Sequence, residues 1–330
     1  MKVLVTGGAG FIGSNLVHRL MNDDRITTVK VLDNLETGRF DNISAFESHS
    51  KFEFIEGDIR NYAICLGAVE GIDIISHQAA LGSVPRSVQD PVTTHEVNAT
   101  GTLNIFNAVR ENKIKRVVYA ASSSTYGDHP GLPKVEDKIG SPVSPYGVTK
   151  LVNELYAKVF AELYDMEFIG LRYFNVYGPQ QNPAGPYAAV IPLFIKAVLE
   201  NTSPVINGIG DSSRDFTFVE DVVQANLLAM FTENTKAVNQ VYNIAKGEQT
   251  TLNELFNILL EIAGKDITPT HGPERNGDIK HSLADITKAK QLLGYDPTTS
   301  PIEGLRKTFD WYKKKAEIEV KAKAKAKDQI

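Results

Sequence analysis

A doubly wound α/β fold, with a parallel sheet followed by a smaller α/β lobe, is predicted by three features of the 330-residue chain. Short β-branched runs alternate with longer helical stretches through about residue 173, the pattern of βα units feeding a parallel sheet. A glycine-rich turn, Gly7 to Gly13, joins the first such run to the first helical stretch. After Asn175 glycine and proline become frequent (Gly178-Pro179, Asn182-Pro183, Gly185-Pro186) and helical patterns dominate.

The predicted strands are Lys2–Thr6, Thr28–Asp33, Phe52–Glu56, 73–76, 116–121 and Glu167–Tyr173, with helices at 12–21, 97–112 and 146–164 between them. They define a first domain over 1–174. A second lobe over 175–315, with short strands such as Val205–Asn207, is expected to bind substrate and to interchange some chain with the first. No internal repeat is visible. The Lys-Ala tail within 313–327 has no apolar face, so 316–330 is expected to be a solvated helix end or disorder.

A 42% apolar composition is enough for a large core, and a formal charge of -5 with a pI near 5.9 argues against binding nucleic acid, which asks for a basic surface. The single cysteine, Cys65, can form no intramolecular disulfide, so the cytoplasm is expected. Met1 leads straight into strand pattern with no signal peptide apparent, and apolar stretches such as 222–231 fall short of the roughly 20 residues of a membrane span. The seven histidines form no His-Glu-x-x-His and no cysteine pairs exist, so no metal is expected.

In Gly7-Gly8-Ala9-Gly10-Phe11-Ile12-Gly13, missing side chains let backbone amides approach a pyrophosphate at a helix N-terminus. Asp33 follows Gly13 by 20 residues, at the end of the next strand, where a carboxylate binds ribose hydroxyls; this is the context of a Rossmann dinucleotide site. That carboxylate repels a 2′-phosphate and Asn34 offers no cation, which favours NAD; Arg39, a little downstream, keeps NADP in view, and these residues alone also admit a flavin.

Tyr146-Gly147-Val148-Thr149-Lys150 puts a tyrosine and a lysine on one face of a helix start. A tyrosine titrates near 10, and bringing it to about 7 takes roughly 4 kcal/mol of phenolate stabilisation, for which a neighbouring ammonium and a positive nicotinamide ring are the candidate sources. Ala121-Ser122-Ser123-Ser124-Thr125-Tyr126-Gly127 places hydroxyls at a carboxyl strand end, where open α/β sheets hold ligands.

With Gly57-Asp58-Ile59, Gln78-Ala79-Ala80 and Asn98 in order between them, these motifs resemble the extended short-chain dehydrogenase/reductase family to about Tyr312. The resemblance implies that Ser122 positions a substrate hydroxyl, Tyr146 takes its proton, and Lys150 holds the nicotinamide ribose and lowers the tyrosine. Gapless alignment on Tyr126-Gly127 makes Ser122 the catalytic serine and Ser123 a pocket residue. Cofactor contacts are implied at Gly7, Gly10, Phe11, Ile12, Gly13, Asp33, Asn34, Asp58, Ile59, Gln78, Ala79, Ala80, Asn98, Tyr146, Lys150 and Tyr173.

Relatives that dehydrate or decarboxylate nucleotide sugars carry an acid before Tyr-Gly, whereas Ser123, Ser124 and Thr125 stand here. The simplest cycle is then oxidation at carbon 4, rotation of the ketone and return of the hydride to the other face, which leaves NAD as a recycled prosthetic group. The runs 77–87 and 122–156 resemble the bacterial UDP-N-acetylglucosamine 4-epimerase branch. That resemblance implies a sugar pocket at Gly82, Ser123, Asn175, Gln181, Ala189 and Ser282, with Ser282 small enough to admit an N-acetyl group, and further substrate contacts at Ser83 and Val190. The nucleotide is expected at Phe194, Val205, Asn207, Arg214, Arg275 and Asp278, the arginines matching phosphate geometry. Phe194 and Val205 stand where tryptophan and tyrosine are usual. The uronate epimer pair, plain UDP-glucose/galactose, and a non-catalytic nucleotide-sugar sensor are the alternatives. A homodimer built on helices 97–112 and 146–164 is expected, although their apolar residues equally suit a monomer core.

Overall fold

The computed structural model describes residues 1–183, 188–273 and 280–327, with side chains through 321. In the first half β1 (Lys2–Thr6), α1 (Phe11–Met21), β2 (Thr28–Asp33), β3 (Phe52–Glu56), α2 (Tyr62–Ala68) and β4 (Ile74–His77) lead to the short helices α3 (Val84–Gln89) and α4 (Pro91–His95). They are followed by α5 (Gly101–Glu111), β5 (Arg116–Ser122), α6 (Pro145–Tyr164) and β6 (Glu167–Tyr173). The second half runs β7 (Val176–Tyr177), α7 (Val190–Glu200), β8 (Val205–Asn207), β9 (Ser213–Arg214), β10 (Thr217–Phe218), α8 (Val219–Phe231) and β11 (Gln240–Ile244). Beyond these come β12 (Thr250–Thr251), α9 (Leu252–Ala263), β13 (Thr270–Gly272), α10 (Thr287–Leu293) and α11 (Pro301–Lys327).

Seven strands form one parallel sheet in the order β11-β6-β5-β4-β1-β2-β3. Val3, Leu4 and Val5 are fully buried because helices cover both faces; Val3 and Val5 enter one apolar cluster and Leu4 another, as strand alternation requires. The strand order turns around at β1, with β2 on one side and β4 on the other. Such a reversal opens a crevice at the carboxyl ends of the strands. A third cluster, built on Phe194, Phe218, Phe256 and Phe309, is the core of the smaller lobe.

Most strand limits follow the periodicity; β4 is displaced by one residue because His77 is drawn inside. Its Nδ1 lies 2.7 Å from the Thr6 hydroxyl and its Nε2 2.9 Å from that of Thr102, and burial pushes the imidazole down to about 3, so it is a neutral clamp. The helix expected over 97–112 begins with a wide π-type turn, Glu96–Thr100, before α5. The stretch from Val219 to Ile244, counted with the second lobe in the sequence, supplies α8 and the edge strand β11, with Tyr242 opposite Leu171 of β6. Helix α11 continues through 313–327. Among the described residues no helix is long and apolar enough to cross a membrane, and no cluster of side chains suits a metal ion.

Candidate active site

The glycine turn is built around backbone contacts that leave no room for side chains. Gly7 has φ +68°, and a Cβ there would lie 2.7 Å from the Ala79 backbone; one on Gly13 would stand 2.1 Å from the Gly7 carbonyl. Gly10 caps α1 with no side chain, so the amides at the helix start face the crevice. Asp33 accepts the Ala9 and Leu35 amides at 2.9 Å each, and burial raises its carboxyl above the usual range. Asn34 donates to Asp58 at 3.0 Å, and the Arg60 fork on Asp58 holds that carboxyl down near about 2. Arg39 lies 3.6 Å from Asp41, which shares its charge. This donor set fits a dinucleotide: amides for the pyrophosphate and carboxylates for ribose hydroxyls.

A cleft of about 500 Å³ runs across the strand ends. Its walls include every cofactor residue expected from the sequence except Asn98. Asn98 is fully buried behind the wall, its Oδ1 accepting the Leu81 amide at 2.7 Å and its Nδ2 donating to the Leu81 carbonyl at 3.2 Å and Thr149 at 3.3 Å. The wide turn before α5 carries Asn98 to these partners. Its carboxamide thus fastens the 79–83 loop to α6. Glu36, Thr37, Leu81 and Val84 also line the cleft; Glu36 and Thr37 sit in a loop without a motif, whereas Leu81 and Val84 fall in the 77–87 run without having been singled out.

Ser122, Ser123, Tyr146, Lys150, Tyr173 and Asn175 gather at the opposite end of the same cleft. Ser144 caps α6 through the Gly147 amide at 3.1 Å, with Pro145 at the first helical position, which presents Tyr146 and Lys150 together. Lys150 is buried; its Nζ donates to the Ala120 carbonyl at 2.8 Å and lies 5.9 Å from the Tyr146 ring centre. The Ser122 oxygen accepts the Ser124 amide at 3.2 Å and its hydroxyl at 2.8 Å, leaving the Ser122 proton to be given. Burial pushes Lys150 down to about 8 and raises the Tyr146 phenol, against a smaller lowering by Ser122. Among the chain's own groups, burial is thus the leading influence on the Tyr146 phenol.

In the second lobe the expected substrate residues are scattered. Gly82 and Ser83 line the cleft, as does Asn175, whose φ is +36° and whose amide donates to the Asp215 carbonyl at 3.3 Å. Gln181 donates to the Val176 carbonyl at 3.3 Å and receives the Tyr312 hydroxyl on its own carbonyl. Ala189 and Val190 begin α7, Val205 is exposed on β8, and Asn207 ends that strand. Arg214 on β9 donates to the carbonyls of Ser213 (2.9 Å) and Lys280 (3.1 Å), and the Ser282 amide donates to the Ser213 carbonyl at 3.1 Å beside it. Phe194 is 2% exposed and packs on Phe256, with ring centres 5.2 Å apart, so the structure places it in the core rather than at a nucleotide. The buried stripe Ile191, Phe194, Ile195 and Val198 on α7 explains this. Arg275 and Asp278 lie outside the described residues.

A cleft at the strand-order reversal, a glycine cradle and a Ser-Tyr-Lys end describe an NAD-dependent enzyme of the short-chain dehydrogenase type. Residues 3–245 match the model of the NAD dependent epimerase/dehydratase family, and the chain belongs to that family. It is 37% identical over 319 residues to UDP-glucose 4-epimerase of Mycolicibacterium smegmatis, covering 96% of this chain and 100% of that one. Among solved structures it is similar to UDP-N-acetylglucosamine 4-epimerase from Methanobrevibacter ruminantium M1, in complex with UDP-N-acetylmuramic acid. The TM-score there is 0.90 and the identity 40%, over 95% of this chain and 98% of that one. UDP-glucuronic acid 4-epimerase from Bacillus cereus, in complex with UDP-glucuronic acid and NAD, matches with a TM-score of 0.87 and 34% identity, over 95% and 99%.

Proposed function

We propose that this chain is a cytoplasmic UDP-N-acetylglucosamine 4-epimerase, interconverting that sugar nucleotide and UDP-N-acetylgalactosamine through a transient 4-keto sugar. One observation carries the reading of the reaction. The carboxylates lining the cleft, Asp33, Glu36 and Asp58, lie at or just after the carboxyl ends of β2 and β3, whereas among the described residues the Ser122, Tyr146 and Lys150 end is lined by hydroxyls, an amide, apolar groups and a single ammonium. Elimination of water asks for an acid at that end; transfer of a hydrogen out and back does not.

Ser122 holds the 4-hydroxyl, Tyr146 removes its proton and later returns it, and the Lys150 ammonium favours the phenolate. Gly7, Gly10, Asp33 and Lys150 would hold NAD, which when bound would supply a reversible hydride acceptor for carbon 4, so that no net oxidation would result. Arg214 and Ser282, held together on β9 and the strand-like segment beside it, are assigned to the diphosphate and to the N-acetyl side of the sugar.

Helix α6 also leaves Val148 (45%), Leu155 (56%), Val159 (46%) and Leu163 (67%) exposed along one side, which supports a homodimer through this helix. The test is to supply purified protein with UDP-N-acetylglucosamine and no reductant and to follow the galacto epimer by NMR. Appearance of the epimer, lost in Tyr146→Phe by about 100-fold or more, is expected. Turnover of the uronate alone, or of UDP-glucose alone, would overturn the substrate assignment.

A further inference from the structure

Beneath the cofactor cleft lies a closed hydrogen-bond ring that includes a residue from the second half of the chain. Asn226 of α8 is fully buried, and its carboxamide uses all four of its bonding positions. Its Oδ1 accepts from the Ser76 hydroxyl (3.4 Å) and the Gln78 amide (3.0 Å), and its Nδ2 donates to the Tyr173 hydroxyl (2.9 Å) and the Val222 carbonyl (2.9 Å).

The Val222 carbonyl can only accept, which decides which end of the carboxamide is nitrogen. Everything else follows from that choice. Tyr173 receives a proton from Asn226 and gives its own to Gln78 Oε1 at 3.1 Å, while Gln78 Nε2 spends its two protons on Asn226 Oδ1 and the Ser76 oxygen, each at 3.0 Å. The ring Asn226, Tyr173, Gln78 and back to Asn226 therefore runs in one sense; the reverse sense would set an oxygen of Asn226 against the Val222 carbonyl.

Gln78 and Tyr173 line the cleft, and Asn226 does not. With both amide protons committed, the Gln78 carboxamide offers the cleft only the second lone pair of Oε1. That is an acceptor, matching a hydroxyl or amide N–H of the dinucleotide.

We propose that Asn226 is a positioning residue for NAD, acting through Gln78 and Tyr173 to present an acceptor on the cleft wall. Helix α8 and the sheet thereby share in holding the cofactor, although no residue of α8 lines the cleft.

The test is a double-mutant cycle on NAD affinity, with the protein stripped of cofactor and reloaded, using Asn226→Leu, Gln78→Ala and both together. Each single change is expected to weaken NAD binding about tenfold, and the pair no more than the worse single change, because both break one ring. Penalties that multiply, or an Asn226→Leu protein that holds NAD as tightly as the unaltered one, would overturn the proposal. Should Asn226→Leu fail to fold, Ser76→Ala removes the hydroxyl that bridges Asn226 and Gln78 beside the ring, without altering the cleft wall. A weakening of about threefold is then expected, and unchanged affinity counts against the role of the ring.

Discussion

Replacing Lys150 by methionine separates what the lysine does for chemistry from what it costs the fold. In the cofactor-free protein, burial depresses the ammonium from its ordinary 10.5 to about 8. The folded form therefore releases its proton at lower pH than the unfolded chain. Between these two values the unfolded chain binds more protons, so this residue makes stability rise with pH through that window. A difference of about 2.5 pH units corresponds to roughly 3 kcal/mol. Below pH 8 the same amount is a charge-burial cost that Lys150→Met removes, partly offset by about 1–2 kcal/mol for the Ala120 carbonyl left without its donor. The assay is urea unfolding of both cofactor-free proteins at pH 7 and pH 10. Other titrating groups cancel in the difference between the proteins, which is expected to shift by about 2.5 kcal/mol in favour of the unaltered protein at the higher pH. A difference constant to about 0.5 kcal/mol would refute the argument from burial. Turnover of the methionine variant is expected to fall on the order of 100-fold or more at either pH.

Glu154→Gln strands the Arg172 guanidinium, 4% exposed in its side chain and bonded to Glu154 at 2.8 and 2.9 Å, so urea unfolding should show a loss of about 3–5 kcal/mol. Removing both charges with Glu154→Leu and Arg172→Leu should cost clearly less. Ser282→Tyr is expected to lower turnover of UDP-N-acetylglucosamine relative to UDP-glucose on the order of 100-fold in a competition assay, by filling the space for the acetyl group. Arg60→Met releases Asp58 from the guanidinium that holds it near about 2. A depressed carboxyl contributes stability above pH 4 that is lost as pH falls toward 2, so acid unfolding of the variant should show a shallower loss through that window.

The cofactor turn and the Tyr146-Lys150 pair were legible because each is local. Glycines three residues apart answer to backbone crowding within one turn, and a tyrosine and lysine four apart share a helix face whatever surrounds them. Strand limits such as Thr28–Asp33 were legible for a similar reason, since an apolar run between two helices has one way to sit in a covered parallel sheet. Asn98 shows where this stops: a polar residue in a family motif reads as a ligand contact, yet a widened helix turn carries it to the backbone of Leu81. Phe194 likewise went to a core that only packing against α9 defines.

Periodicity thus told which residues turn inward, for that depends on neighbours a few positions away. Tertiary structure decided what they meet. The return of α8 and β11 to the sheet brings Asn226 to Gln78, 148 positions apart, and burial around α6 sets the charge states of Tyr146 and Lys150. Both depend on long-range packing and on the exclusion of water, which no spacing along a chain encodes.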